Sequence, residues 1–177
     1  MRSSVITPFR KEFVQQLLEW FQSEEMEKLI LLSSSDLGNY LQERLLQSPF
    51  RCLCSASFTK SLGAKSSLLK NFWPDLKEDN FFTEINQYKN SRLPFSIGGI
   101  TRTLYEECEK KNLSLVILIM FCAEGDNASE AFRFAQQMDA WLELRRKYQR
   151  KNRPLAEWNA PISWTAFYGS AASEIIY

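Results

Sequence analysis

The sequence predicts an α/β fold in which helices pack around a largely parallel sheet. The main observation is that short apolar runs, typical of buried strands, alternate with longer segments whose apolar residues recur at helical spacing. The composition agrees, because 45% of the 177 residues are apolar and 14% are aromatic, which is enough for a sizeable hydrophobic core.

The first predicted element is a helix from Pro8 to about Met26. Thr7 has a side chain suited to the N-cap, and proline is favoured in the first helical position. The segment has one broad apolar face, which predicts that the helix packs on the sheet. Its members are Phe9, Phe13, Val14, Leu17, Leu18, Trp20 and Phe21.

Three segments are predicted as strands, at Glu27–Ser33, Phe50–Ser55 and Leu113–Ala123. The third is the most apolar and is expected at the centre of the sheet. The polar run Ser33–Asp36 is expected to form a turn after the first strand, which is where ligands bind in open α/β sheets. Residues 36–48 fit either a short helix or an ordered loop.

Two further helices are predicted, one from Thr101 to about Lys111 and one from Ala128 to about Arg150. The apolar stripe of the first comprises Ile100, Leu104 and Cys108. Asn127 is suited to cap the second. The irregular region between Phe58 and Leu93 is expected to hold short helical pieces whose aromatics belong either to the core or to a partner contact.

Charge and residue types exclude several function classes. The 22 basic and 21 acidic residues give a net charge of +1, which leaves no electrostatic footprint for nucleic acid or an anionic membrane. No apolar run reaches the ~20 residues of a membrane span, and the first residues lack the features of a signal peptide. The complete absence of histidine removes Ser-His-Asp and Cys-His catalysis.

The cysteines are expected to be reduced and mostly buried, as in a cytosolic protein. They are Cys52, Cys54, Cys108 and Cys122. No CxxC pair is present, so a zinc site is not expected. No other metal and no cofactor is predicted.

The stretch SIGGITRTLYEECEK places Gly98 and Gly99 before a helix, an arrangement that binds anions in some proteins. The spacings of the known nucleotide-binding loops are absent, which favours a helix entrance that needs glycine conformations. Ser33–Ser35 contains hydroxyl nucleophiles, but without a histidine base a turn is favoured.

A second candidate is the turn formed by Glu124, Gly125, Asp126 and Asn127 after the apolar strand. Two carboxylates there fit acid/base chemistry or a weak metal site. The alternative, a glycine turn with a helix cap, is favoured because no second half of an active site is evident elsewhere.

Three strands make a thin sheet for such apolar helices, and the chain begins with a helix. Together these features predict a sheet that is N-terminally incomplete. The chain is then either a fragment or splice form, or it docks on a partner.

Several blocks of the sequence resemble the proteasome assembly chaperone 2 family, in the same order. They are ILLSSSD at 30–36, SPFRCL at 48–53, IGGITRTLYEEC at 97–108, AEGDN at 123–127, AWL at 140–142 and PISWTAFYGS at 161–170. The likeness extends from about Ser4 to Ser170 and corresponds to the C-terminal two-thirds of such a protein.

The resemblance implies a single partial domain over residues 1–177, with 171–177 as a C-terminal tail. It implies a phosphorylase-like α/β/α sandwich without catalytic residues, and hence no enzyme activity. The family pairs with proteasome assembly chaperone 1 as a heterodimer that promotes 20S proteasome α-subunit ring assembly and prevents off-pathway α-ring dimers. The resemblance implies a cytoplasmic and nuclear location.

The resemblance also implies contact residues. Related chaperones insert a C-terminal hydrophobic-Tyr-any tripeptide between α-subunits; the matching positions here are Ile175, Ile176 and Tyr177, with tyrosine last instead of penultimate. Arg102, Tyr105 and Glu106 are further candidate partner contacts.

Two alternatives stay open. One is an enzyme of nucleoside phosphorylase-like ancestry whose site combines Ser33–Ser35, Gly98–Gly99 and Glu124–Asp126. The other is a subunit with a purely scaffolding role.

Overall fold

The computed structural model describes residues 5–36, 48–63, 66–76, 99–123, 125–147, 157–162 and 164. The chain groups into two compact units, Met1–Phe121 and Cys122–Tyr177. The described residues combine helices with a small open mixed sheet, which confirms the α/β class.

The sheet contains three strands in the described part of the chain: β1 (Leu29–Asp36), β2 (Phe50–Cys54) and β3 (Leu115–Cys122). Their order is β1-β3-β2, so the most apolar strand is central, as predicted. A continuous apolar run is required there because both faces of β3 are buried from residue 115 to residue 121.

The prediction of a largely parallel sheet is wrong for β2. This strand runs antiparallel to β3, with Phe50 opposite Met120 and Cys54 opposite Val116. The Leu29 N–H donates to the Ser114 carbonyl at 2.9 Å, so β1 and β3 start at the same end of the sheet. The alternation of strands and helices does not determine whether β2 and β3 run parallel or antiparallel, because a connection this long can reach either end of the sheet.

The predicted turn at Ser33–Ser35 is instead the second half of β1. Serine is compatible with an edge strand whose successive side chains point to opposite faces. Leu29 and Leu31 pack against the core from one face, while Ile30 and Leu32 are exposed on the other. Among the described residues, cover is thus found on one side of β1 only.

The first helix begins with a 3-10 turn at Thr7–Phe9 and continues as α1 (Arg10–Ser23). Pro8 lies in the first turn, as predicted. Thr7 is not the cap, because the N-cap position belongs to Ile6, which makes no side-chain capping hydrogen bond. The helix ends before Met26, since Glu25 adopts a left-handed conformation with φ of 51°.

The buried face of α1 is narrower than predicted. Val14, Leu18 and Phe21 are buried and belong to or border the core. Leu17 is half-buried and packs against the core, whereas Phe9, Phe13 and Trp20 are exposed. The face is narrower because, among the described elements, α1 packs mainly against one helix, α4 (Gly99–Lys110), and one helix covers only part of another's circumference.

The core of the first unit lies between α1, α4 and one face of the sheet. The predicted stripe on α4 is confirmed, since Leu104 and Cys108 are buried and Ile100 packs against the same cluster. The cluster consists of Val14, Leu18, Leu53, Leu76, Leu104, Tyr105, Cys108, Leu115, Ile117, Ile119 and Phe121.

Two short helices follow β2, namely α2 (Ala56–Leu62) and α3 (Ser66–Phe72). After α3 the chain returns to the outer edge of β2, where the Cys52 N–H donates to the Pro74 carbonyl at 2.9 Å. This contact closes part of an edge that would otherwise be open to another chain.

The second unit contains α5 (Ala128–Leu142) and α6 (Leu144–Lys147) in place of the single helix predicted to Arg150. The interruption is at Glu143, whose φ of 52° is left-handed. The Asp139 carboxylate accepts hydrogen bonds from the Arg145 backbone N–H at 2.8 Å and from its Nε at 2.7 Å. These bonds cap the start of α6 and stabilise the break.

Candidate functional site

The glycine at the start of α4 is explained by its backbone conformation. Gly99 is the first residue of the helix and has a φ of +65°, which L-residues with side chains rarely adopt. A Cβ atom at this position would meet nothing within 4 Å, so the requirement comes from the backbone and not from lack of space. Gly98 lies outside the described residues.

A pair of hydroxyl groups connects the first turn of α4 to β1. Thr101 is buried, and its Oγ1 is 3.5 Å from Ser33 Oγ on β1. A hydroxyl contact orients the two side chains but supplies no base to deprotonate either of them. The contact therefore ties α4 to β1, and it does not activate a nucleophile.

Tyr105, one of the three candidate partner contacts, is a core residue. It is buried in the core cluster, and its hydroxyl donates to the Cys54 carbonyl at 3.5 Å. Burial, reinforced by Glu109, raises the pKa of the Tyr105 phenol above its usual value. Tyr105 thus connects α4 to β2.

The other two candidates on α4 reach the surface to different degrees. Arg102 is half-buried and Glu106 is exposed. Next to Glu106, Glu107 pairs with Lys110 at 2.8 Å, and this hydrogen bond lowers the pKa of the Glu107 carboxyl. The accessible side of α4 therefore carries charged groups, which is compatible with a contact at the rim of an interface.

The acidic turn belongs to the second unit and has the geometry of a helix start. Gly125 has a φ of +135°, and the Asp126 Oδ1 accepts a hydrogen bond from the Ala128 N–H at 3.0 Å. Asn127 occupies the predicted N-cap position, but its side chain makes no capping bond, and the Asp126 carboxylate supplies the hydrogen bond to the helix start instead. Glu124 lies outside the described residues.

The predicted tail, Ile175, Ile176 and Tyr177, also lies outside the described residues. Among the residues that the structure does describe, no group of three or more potential metal ligands comes together. None of the helices in that part of the chain combines the length and apolar character that a membrane crossing requires.

The buried thiols are poor nucleophiles in this fold. Burial, with Glu109 and Glu107 nearby, raises the pKa of Cys108 to about 12. Cys52, whose Sγ donates to the Trp73 carbonyl at 3.1 Å, has its pKa raised as well, first by its neighbour Cys54 and then by burial. Since the thiolate is the reactive form, both cysteines act as packing residues at neutral pH.

Ser55 is a buried polar residue with three side-chain hydrogen bonds, and the sequence did not predict its importance. It is buried at the end of β2, where its Oγ donates to the Leu113 carbonyl at 2.9 Å. The same oxygen accepts hydrogen bonds from the N–H groups of Leu115 at 3.0 Å and Phe58 at 3.2 Å. The available indication was its position directly before a short helix, which is typical of an N-cap.

The sequence was compared with known proteins. No family model matches the chain. A protein of Xenopus tropicalis named proteasome assembly chaperone 2 is 30% identical over 178 residues, covering 100% of this chain and 66% of the relative. A Homo sapiens protein of the same name is 30% identical over 179 residues, with the same coverage. A third, from Nematostella vectensis, is 30% identical over 137 residues, or 76% of this chain and 54% of the relative.

The chain belongs to the proteasome assembly chaperone 2 family. This confirms the resemblance found in the sequence. The chain spans 66% of the length of the frog and human members of the family. Three of the blocks that carried the resemblance lie on β1, β2 and α4, the elements that surround the core of the first unit.

Proposed function

We propose that this chain is a non-catalytic chaperone for assembly of the 20S proteasome. The observation that carries the proposal is similarity along the whole chain to relatives named proteasome assembly chaperone 2. Two further observations support the proposal. The sequence contains no histidine, and the described candidate residues Ser33, Thr101 and Tyr105 make packing contacts between α4 and the sheet.

In the proposed mechanism the chain forms a heterodimer with proteasome assembly chaperone 1. The dimer binds α-type subunits in a geometry that favours the ring, and it covers surfaces through which α-rings would otherwise dimerise. Such a chaperone needs no cofactor, since it acts by shifting the population of subunit arrangements through differential binding. The cytoplasm and nucleus are the proposed location, which a fluorescent fusion in living cells would test.

The experiment is affinity purification of the tagged chain from cell lysate, followed by mass spectrometry. Recovery of α-type proteasome subunits together with proteasome assembly chaperone 1 is the expected result. A preparation that contains neither, with the tagged chain folded, would overturn the proposal. An untagged lysate and an unrelated tagged α/β protein provide the controls.

The residues Ile175, Ile176 and Tyr177 are proposed to contact the α-subunits. An anchor linked to a surface that is already docked binds at a raised effective concentration. Deleting the three residues should weaken α-ring binding and leave the heterodimer intact, whereas Ser173→Ala should change neither. Unchanged affinity of the deletion variant for α-rings would refute the assignment.

A further inference from the structure

The outer edge of β1 is open among the residues that the structure describes. β1 lies at one end of the strand order β1-β3-β2, with β3 as its neighbour on the inner side. The opposite end of the sheet differs, because the chain after α3 returns to β2, where the Cys52 N–H donates to the Pro74 carbonyl. An open edge presents a row of backbone N–H and C=O groups to which a further strand can bind.

The hydrogen bond between β1 and β3 shows which residues form this row. The Leu29 N–H donates to the Ser114 carbonyl, so Leu29 and every second residue after it direct their backbone groups towards β3. The residues between them direct theirs the other way. The outward N–H and C=O groups therefore belong to Ile30, Leu32 and Ser34.

The sequence of β1 lacks the features that protect an edge from another chain. Residues 29–35 read LILLSSS, without a charge or a proline. The strand has eight residues, whereas the mean is about 5–6. Its open face carries Ile30 and Leu32, which are 37% and 46% exposed. Edge strands that avoid pairing are usually short or carry Lys or Pro, so β1 is suited to accept a further strand.

β1 is complementary to a second copy of itself when the two strands run antiparallel. Residues with outward backbone groups must face each other, so the register is fixed to steps of two residues. The register that pairs the whole of 28–36 has Leu32 opposite Leu32 of the second copy, on a two-fold axis, and Ile30 opposite Ser34. The three outward residues of each copy then form about six hydrogen bonds between the copies.

The same register places opposite charges together at both ends of the pairing. Lys28 directly precedes β1 and Asp36 is its last residue, and each lies at the position opposite the other in the second copy. Glu27 lies in the bend before Lys28 and outside the paired residues. Opposite charges across antiparallel strands are stabilising, whereas parallel pairing of two copies would place like charges side by side. A strand of another protein would need the same charges in reverse order, which β1 itself supplies.

We propose that β1 pairs antiparallel with β1 of a second copy of this chain and joins two three-stranded sheets into one. The two-fold axis at Leu32 keeps the open faces of both sheets on one side, where Ile30 and Leu32 of the two copies become neighbours. The pairing covers the edge groups and part of these apolar side chains. The inference goes beyond the proposed function, since self-association requires neither α-type subunits nor proteasome assembly chaperone 1.

The test is sedimentation equilibrium of the purified full chain, which should show a reversible equilibrium of monomer and dimer. Leu32→Lys should raise the dissociation constant by about 10-fold or more, because it removes the apolar pair on the two-fold axis and places two like charges there. Leu68→Lys is the matched control, since Leu68 on α3 is apolar and 56% exposed but lies outside β1. Its dissociation constant should stay within about twofold of the native value.

Charge reversal tests the register. Lys28→Glu and Asp36→Lys should each raise the dissociation constant by about 5-fold or more, because each variant places like charges at both ends of its own dimer. A mixture of the two variants should form dimers with a dissociation constant within about twofold of the native value, since every charge then faces an opposite one. All variants should melt within about 2 °C of the native chain, which separates loss of pairing from loss of the fold.

A native chain that stays monomeric at every accessible concentration would overturn the proposal. Self-association that Leu32→Lys leaves unchanged, or that mixing the two charge variants does not recover, would also overturn the assigned pairing. A monomeric chain whose binding to proteasome assembly chaperone 1 is weakened by Leu32→Lys, and not by Leu68→Lys, would identify a different protein as the occupant of the edge. Each of these results leaves the proposed function intact, because that function is measured by the recovery of α-type subunits.

Discussion

The hydroxyl group of Ser55 connects three elements, and replacing it should destabilise the whole first unit. Its Oγ donates to the Leu113 carbonyl and accepts from the N–H groups of Leu115 and Phe58. A serine hydroxyl has one proton and two lone pairs, so its hydrogen-bonding capacity is fully used. Ser55→Ala removes all three bonds with the smallest change in shape.

The expected cost is about 3 kcal/mol. Loss of the N-cap of α2 contributes about 1 kcal/mol. The Leu115 N–H remains at the start of the central strand, where the residue is 0% exposed, and an unsatisfied buried donor costs about 1–3 kcal/mol. The Ser55 backbone N–H keeps its own bond to the Leu115 carbonyl at 2.9 Å, so the ladder is weakened and not broken.

The assay is urea unfolding followed by circular dichroism. The free energies of unfolding are compared with the same dependence on urea concentration for each variant. Ser61→Ala is the matched control, because Ser61 lies on the same helix and its Oγ donates to the Phe58 carbonyl at 2.8 Å, but the residue is exposed. The control should cost no more than about 0.5 kcal/mol. A Ser55→Ala variant as stable as the control would refute the assigned role.

Other variants test the core, the break between α5 and α6, and the thiols. Leu18→Ala should cost about 2–5 kcal/mol in urea unfolding, because it opens a cavity in the core, while Trp20→Ala on the same helix should cost no more than about 0.5 kcal/mol; equal costs would contradict the assignment of the buried face. Hydrogen bonds from Arg145 lower the folded pKa of Asp139, so its stabilisation is present above the unfolded value of about 3.9 and is lost as pH falls through the folded value. Asp139→Asn should therefore lower the melting temperature at pH 7 and make the melting temperature fall less steeply as the pH is lowered. An unchanged fall of the melting temperature in acid would contradict this. One of four thiols, Cys122, should react with a disulfide reagent in the native state and all four in urea, since the other three are buried; rapid reaction of a second thiol would contradict the burial.

The sequence predicted the parts of the fold that depend on local pattern. The apolar run at 115–122 and the stripe of Leu104 and Cys108 follow from strand and helix periodicity, and both are present. The direction of β2 did not follow, because strand direction depends on where a long connection ends. The division of α5 from α6 depends on a hydrogen bond between Asp139 and Arg145. The spacing of apolar residues gives no indication of this bond.

The candidate site was harder to predict because exposure is a property of packing. Spacing alone placed Phe9 and Phe13 on the apolar face of the first helix, but it could not show that α4 covers only the part with Val14 and Leu18. Tyr105 was predicted as a candidate partner contact, yet its phenol is enclosed in the core. The family, in contrast, was predictable, since the blocks that identify it are continuous in sequence.

The most direct test of the proposed chaperone role is native mass spectrometry of α-ring formation. Proteasome α-type subunits would be mixed with proteasome assembly chaperone 1 in the presence or absence of this chain. Addition of the chain should increase the fraction of single α-rings and reduce the fraction of α-ring dimers, with the chain and its partner found on the ring. An unchanged distribution of rings, with no bound chain, would contradict the role as an assembly chaperone.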